Sequence, residues 1–165
     1  MKKTNLIAAA LTICLLAGIN AHSQKSIRIP LSVKQSFENN FKQEAPLKWI
    51  QVQDAFVAIV QQNDQTVEAY FTSEGEYKGK GRYVELNFLP MEVQEKIKSY
   101  SNYEIQSLYE YDCNAVGTSF YVVLQNAKKK VVTRLNANGE VIFSETTRIR
   151  CKTPATDSLA IAKKN

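Results

Sequence analysis

Apolar residues recur along this chain with two different periods. Val33, Phe37 and Phe41 stand four residues apart, and Val93 and Ile97 repeat that step, with Tyr100 three residues further on. Each set draws one apolar face on a helix. The two helices open alike, on Ile29-Pro30-Leu31-Ser32-Val33 and on Leu89-Pro90-Met91-Glu92-Val93. Both place a proline in the first turn, where its missing N–H costs nothing. After each helix the period drops to two. Segments 47–53, 55–62, 65–72 and 76–85 read as strands after the first helix, and 103–112, 118–126, 130–136 and 140–150 after the second.

The breaks between strands carry turn residues. Asn63-Asp64 separates the second and third strands, and Ala127-Lys128-Lys129 separates their counterparts. The Lys128-Lys129-Lys130 run reads as a solvated turn. Asn138-Gly139 is a strong hairpin signal and predicts a tight primed turn with positive φ. Glu74-Gly75 is a weaker version of it. With an offset of 64, the stretch from Thr66 to Tyr77 lies over the stretch from Lys130 to Val141, with Gly75 on Gly139 and Glu76 on Glu140. The pattern is an internal repeat, with units at 29–86 and 87–150.

Alternation assigns faces. Val67, Ala69 and Phe71, matched by Val131, Thr133 and Leu135, are expected under the helices. Glu68 and Tyr70, matched by Val132 and Arg134, point to the other side. Lys78, Lys80 and Arg82 share a face, and Gly79 and Gly81 between them suggest a bend or bulge. Tyr103, Ile105, Tyr109 and Tyr111 are expected together on one side, as sheet packing. The halves differ at one link. The first turns sharply near Asp54, whereas the second carries a longer stretch from Tyr111 to Gly117, the kind of loop in which function tends to sit.

The N-terminus changes the picture. Met1-Lys2-Lys3, an apolar run from Leu6 to Ile19 and small residues at Ala21 and Ser23 make a cleavable export signal, 1–23, with a cut after Ala21 as the alternative. Cys14 sits inside the apolar run without the small residues that a lipidation site wants before it. No later segment is long and apolar enough to span a membrane. Of 21 basic and 16 acidic residues, the signal holds two lysines and no acid, leaving 19 against 16. The stretch 152–165, small and polar after Pro154, reads as a flexible tail with three lysines and one aspartate, so the body carries 16 against 15. A nearly neutral body argues against nucleic acid. The signal also holds His22, the only histidine, so the domain at 24–151 has none for acid–base or nucleophile–histidine chemistry. Its two cysteines, Cys113 and Cys151, fall short of a zinc set. In an oxidising compartment they are expected to form a disulfide.

An export signal followed by a helix and four strands, twice over, resembles the PepSY-like family, also described as β-lactamase-inhibitor-like and common in secreted proteins of Bacteroidetes. The resemblance spans roughly 29–149 and rests on Phe37 and Phe41, on Pro46 and Trp49 entering the first strand, and on Phe71-Thr72-Ser73-Glu74-Gly75-Glu76-Tyr77. Leu89-Pro90 and Asn138-Gly139-Glu140 complete it. It implies an α+β fold: tandem units of a helix plus four antiparallel strands, with helices on one face of the sheet and the other face open. It implies no catalytic residues and no cofactor.

The function expected is that of a non-catalytic periplasmic or secreted module engaging a protein or peptide through the open face. Trp49, Tyr70, Tyr121, Arg134 and Arg148 are its candidate residues, since aromatics and arginine dominate interface energetics. The alternative is an inhibitor of a secreted hydrolase, a peptidase or a β-lactamase, acting through a protruding loop at 112–117. An enzyme built on paired carboxylates such as Glu104 and Glu110 is the least supported reading, because nothing in the sequence gathers them in a cleft.

Overall fold

The computed structural model describes residues 27–149. The expected signal at 1–23, the tail at 152–165 and Cys151 lie outside the described residues. Helix α1 (Leu31–Asn40) leads into β1 (Lys48–Val52), β2 (Ala55–Gln62), β3 (Gln65–Thr72) and β4 (Tyr77–Tyr83). A short 3-10 turn, Leu86–Phe88, then leads to α2 (Met91–Lys98). Strands β5 (Glu104–Cys113), β6 (Gly117–Gln125), β7 (Lys129–Asn136) and β8 (Val141–Arg148) follow. The eight strands form one antiparallel sheet in chain order, each paired with the next, with β1 and β8 as its edges. Among the described residues no helix is long and apolar enough to cross a membrane.

Neither helix has a side-chain cap, and in each the proline carbonyl before the first turn accepts the opening bond: Lys34 N–H to Pro30 at 3.1 Å and Gln94 N–H to Pro90 at 3.0 Å. Helix α2 sets Glu92 in its first turn and Lys96 and Lys98 in its last, which suits the macrodipole. Helix α1 has no such charges, so it depends on packing. Val33, Phe37 and Phe41 meet Phe56, Ala58, Val60, Val67, Ala69 and Phe71 in one core. Phe37 stacks on Phe41 at 5.0 Å and meets the edge of Trp49 at 5.5 Å. Leu89, Val93 and Ile97 meet Leu108, Phe120, Val122, Leu124, Val131 and Leu135 in a second core. Thr133, fully buried, satisfies its hydroxyl on the Phe143 carbonyl at 3.0 Å.

The two cores share a face. Ala69 pairs with Lys80 and Lys80 with Asp112. Counting by twos along β5 from Asp112 passes Glu110 and arrives at Leu108, which lies under α2. Both helices therefore cover one side of the sheet, and the other side is open. Between the helices the covered side is polar: Gln62, Gln65, Lys80, Arg82, Glu110 and Asp112 line a shallow groove of about 520 Å³.

The hairpins differ from expectation in one respect. Asn63 and Asp64, at φ 47° and 62°, form the primed turn. At Asn138-Gly139 only the glycine has positive φ, 76°. Gly139 N–H bonds the Asn136 carbonyl and Asn136 N–H bonds the Glu140 carbonyl, both at 3.0 Å, which makes a three-residue turn with a glycine bulge. Thr72, Gly75 and Glu76 make the same two bonds at the same length. The reason lies outside the turn. A Cβ on Gly139 would stand 2.5 Å from the Glu92 carbonyl oxygen, and one on Gly75 would stand 2.7 Å from the Ser32 carbonyl. Each hairpin tip is pressed onto the first turn of a helix, and the wider turn reaches it.

A second difference comes from β5. Tyr109 and Tyr111 face the open side, whereas Tyr103 packs on the α2 core. The pairing with β6 shifts register between Ile105 and Ser107. That bulge inserts one residue and inverts the alternation before it.

Candidate binding face

On the open side the register lines up side chains from several strands. Tyr83, Tyr109, Tyr121, Arg134 and Phe143 form one row across β4 to β8. Glu68, Gly81, Tyr111 and Ser119 form the next row, and Val57, Tyr70, Gly79 and Cys113 the one after it. Tyr70, Tyr109, Tyr111 and Tyr121 are between 2% and 6% exposed although no helix covers them. Their rings lie along the sheet and cover one another. Gly81 makes this possible: a Cβ there would meet the Tyr109 ring at 2.4 Å. Tyr109 leans across β4 through that gap and reaches β3.

What it reaches is a carboxylate. The Tyr70 and Tyr109 hydroxyls donate to Glu68 Oε2 at 2.6 and 2.8 Å, and the two phenol oxygens are 2.8 Å apart. Tyr70 meets the Tyr111 ring edge-on at 5.4 Å, and Tyr83 meets Tyr109 at 5.0 Å. Burial pushes the Tyr70 and Tyr109 hydroxyls well above the ordinary phenol range, with Tyr109 and Glu68 adding to the effect on Tyr70 and Glu68 to that on Tyr109. Burial likewise raises Tyr111, with Cys113 next in effect, and it raises Tyr121 against the opposing pull of Arg134. Arg134 lies over the Tyr121 ring at 5.5 Å and donates from Nη2 to Ser119 Oγ at 2.9 Å. The ends of its longest row are exposed, Tyr83 at 59% and Phe143 at 42%; Arg134 in that row and Glu68 in the next are half-buried.

Of the five residues picked out in the sequence, Tyr70, Tyr121 and Arg134 belong to this face. Trp49 does not. It pairs with Ala58 and packs against Phe37 and Phe71 under α1. Strand β1 is half-apolar on both sides, with Ile50 and Val52 on the open one, so its alternation leaves the tryptophan's side undetermined. Arg148 pairs with Lys129, two residues from Val131 of the α2 core, and stands exposed at the end of β8 on the covered side. Sequence reasoning left out Glu68, Tyr83 and Phe143 as site residues. The period-two pattern of β4 and β5 contained a signal for Tyr83, whereas the reach of Tyr109 to Glu68, 41 residues away, had none.

The long loop expected at 112–117 is short. Strands β5 and β6 stay paired to Cys113 and Gly117, leaving residues 114–116 as a turn closed by Val116 N–H on the Cys113 carbonyl. Asn114 ties it to β4 through Lys78 and Tyr77. Cys113 is a half-buried thiol at its base. Glu104 and Glu110 lie six residues apart on β5, roughly 20 Å, and Glu110 is taken by Arg82 at 2.8 Å. Among the described residues no group of three histidine, cysteine or acidic side chains could hold a metal ion.

No protein-family model matches the chain. No curated protein matches it either. Solved structures do. A BLIP-like protein from Bacteroides fragilis superposes with a TM-score of 0.64 at 18% identity, covering 77% of this chain and 92% of that one. A DUF2874 family protein from Bacteroides ovatus gives 0.66 at 16% identity, covering 73% and 89%. A protein from Bacteroides eggerthii, provisionally named as periplasmic, gives 0.65 at 18%, covering 73% and 90%. At these identities the likeness is one of fold: the chain has the α+β fold of these BLIP-like and DUF2874 proteins, an antiparallel sheet with helices on one side.

Proposed function

We propose that this is an exported, non-catalytic binding module of the PepSY-like kind, and that its open sheet face engages a protein or peptide. The row Tyr83, Tyr109, Tyr121, Arg134, Phe143 carries the reading. It puts aromatic and arginine side chains, the types that dominate interface energetics, across five neighbouring strands of a face that neither helix covers. Tyr109 of this row is fixed by its bond to Glu68 and Tyr121 by the Arg134 guanidinium over its ring, which lowers the entropy cost of binding. Export rests on the signal-like residues 1–23 and accords with the periplasmic naming of one structural neighbour. The same reading takes units 29–86 and 87–150 as tandem copies. The matching contacts of Gly75 on Ser32 and Gly139 on Glu92 support it. The inhibitor reading is weakened by the shortness of the turn at 114–116.

A photo-crosslinking residue at Tyr83, compared with one at Phe88, tests the face. Phe88 is more exposed than Tyr83 but lies in the 3-10 turn before α2. With the protein expressed in its host, one discrete adduct is expected from Tyr83 and not from Phe88. Equal labelling from both, or none from Tyr83, would overturn the reading.

A further inference from the structure

We propose that β8 is an interface between two copies of this chain, which pair edge to edge about a two-fold axis at Thr146. The proposal does not depend on the binding-face reading.

The two edges of the sheet differ. Strand β1 has five residues, three of them half-buried, and begins on Lys48. Strand β8 has eight residues, all exposed, with Val141 at 43%, Ile142 at 52% and Phe143 at 42%. It contains neither lysine nor proline, residues that commonly guard an edge. Half of its backbone is unpaired. The Ile149 N–H bonds the Lys128 carbonyl at 2.9 Å, and residues two apart on a strand turn their N–H and C=O to the same neighbour. Phe143, Glu145 and Thr147 therefore turn theirs to β7. Ser144, Thr146 and Arg148 turn theirs outward, where the described residues place no further strand.

The sequence of β8 fits a second copy of itself. Its ladder with β7 slips between Arg134 and Leu135, so the regular part of the strand runs from Phe143 to Ile149. The midpoint of that stretch is Thr146. Two copies laid antiparallel with full overlap cross there, and the outward groups meet: Thr146 faces the partner's Thr146, and Ser144 faces the partner's Arg148. The match closes about six backbone hydrogen bonds. Side chains agree with it. On the open side Phe143 stands opposite the partner's Ile149, an apolar pair, and Glu145 opposite the partner's Thr147. No like charges stand directly opposite. The two Glu145 carboxylates fall on a diagonal, and each has Lys130 and Arg134 of its own β7 on diagonals of the same side. A register centred on Glu145 would set the two carboxylates face to face, and a slip of one residue would turn the open side of one copy against the covered side of the other. A two-fold contact of this kind closes on itself, whereas β8 on the partner's β1 would propagate. Both open faces then lie on one side of a single continuous sheet.

The test uses the mature chain with Cys113→Ser and Cys151→Ser. Phe143 and the partner's Ile149 form a pair without backbone bonds between them, with Cα atoms about 4.5 Å apart and within disulfide reach. Two copies of either residue lie about 20 Å apart. Phe143→Cys and Ile149→Cys chains, mixed under mild oxidation, should therefore give a covalent dimer holding one of each, and neither chain alone should. One strand pair is a small interface, so the yield should rise with protein concentration. Thr146→Pro removes an outward N–H and spares the ladder with β7; it should abolish the crosslink. Thr146→Lys keeps the backbone intact, sets two lysines opposite each other, and should lower the yield about 5-fold. No mixed dimer, as much dimer from the single chains as from the mixture, or an unchanged yield with Thr146→Lys would overturn the proposal. Crosslinking that appears only after residues 150–165 are removed would also overturn it, by assigning the edge to the chain's own C-terminal segment. The binding face is tested separately by the Tyr83 crosslink, since β4 lies four strands from this edge.

Discussion

Glu68 is the one carboxylate that the open face encloses, and its contacts outnumber the protons available. Tyr70 and Tyr109 each carry one hydroxyl hydrogen. Those two hydrogens serve three oxygen–oxygen contacts, two to Glu68 Oε2 and one between the phenols. The carboxylate is therefore the acceptor that lets both phenols be buried. Replacing Glu68 with leucine leaves them with only each other, one of them donating and the other with an unplaced hydrogen. The expected loss is about 1–3 kcal/mol in urea unfolding, with Glu68→Gln losing less because its carbonyl still accepts. A loss below about 0.5 kcal/mol for Glu68→Leu would place it with ordinary surface substitutions and show that the network does not stabilise the fold.

At the scale of elements, the joint between hairpin tip and helix start deserves a direct measurement. Gly139 and Gly117 both follow tight turns at φ near 75°, so alanine is strained at either position by about 1 kcal/mol. They differ in their neighbours. Gly139 abuts the Glu92 carbonyl, while a Cβ on Gly117 meets nothing within 4 Å. Gly139→Ala should therefore destabilise by about 1–3 kcal/mol more than Gly117→Ala, since a helix backbone must move. Equal losses would mean that the tip does not bear on α2. The same joint shows the limits of reading the chain alone. Alternation and paired prolines located both helices and all eight strands, because both helices and strands β2 to β7 bury residues against their neighbours, although β8 is exposed along its whole length. Asn138-Gly139 suggested the narrower turn, because the helix that shapes it is distant in sequence. Tyr103 was assigned to the wrong side because a bulge adds a residue without altering the composition. The site was legible where it lies on regular strand, at Tyr70, Tyr121 and Arg134, and illegible where it depends on reach across glycines, as for Tyr109 and Glu68.

For the whole molecule, the open-face cluster does what neither helix-side core does. Each of those cores draws its residues from one half of the chain. The open-face cluster joins Val57 and Tyr70 of the first half to Tyr109, Tyr111 and Tyr121 of the second, beside the single β4–β5 pairing. The joint is built of phenols, so alkali should attack it. Burial raises the hydroxyls of Tyr70, Tyr109, Tyr111 and Tyr121 in the folded state, and it pushes Tyr77, where Asp112 adds to the effect, up to about 12. In the unfolded chain each titrates near about 10. Below that pH the folded and unfolded chains hold the same phenol protons and the stabilisation is complete. Above it the unfolded chain loses protons that the folded chain keeps, so stability falls as pH rises. The slope is up to about 1.4 kcal/mol per pH unit for each fully buried phenol and less for half-exposed Tyr77, whose contribution is spent by about pH 12. Urea midpoints taken from about pH 9 to about pH 11 should therefore drop steeply, and most tyrosinate absorbance should appear together with unfolding. If the phenols instead titrate near about 10 while the circular dichroism of the sheet persists, they are accessible in the native state, and the joint between the halves is not the buried cluster described above.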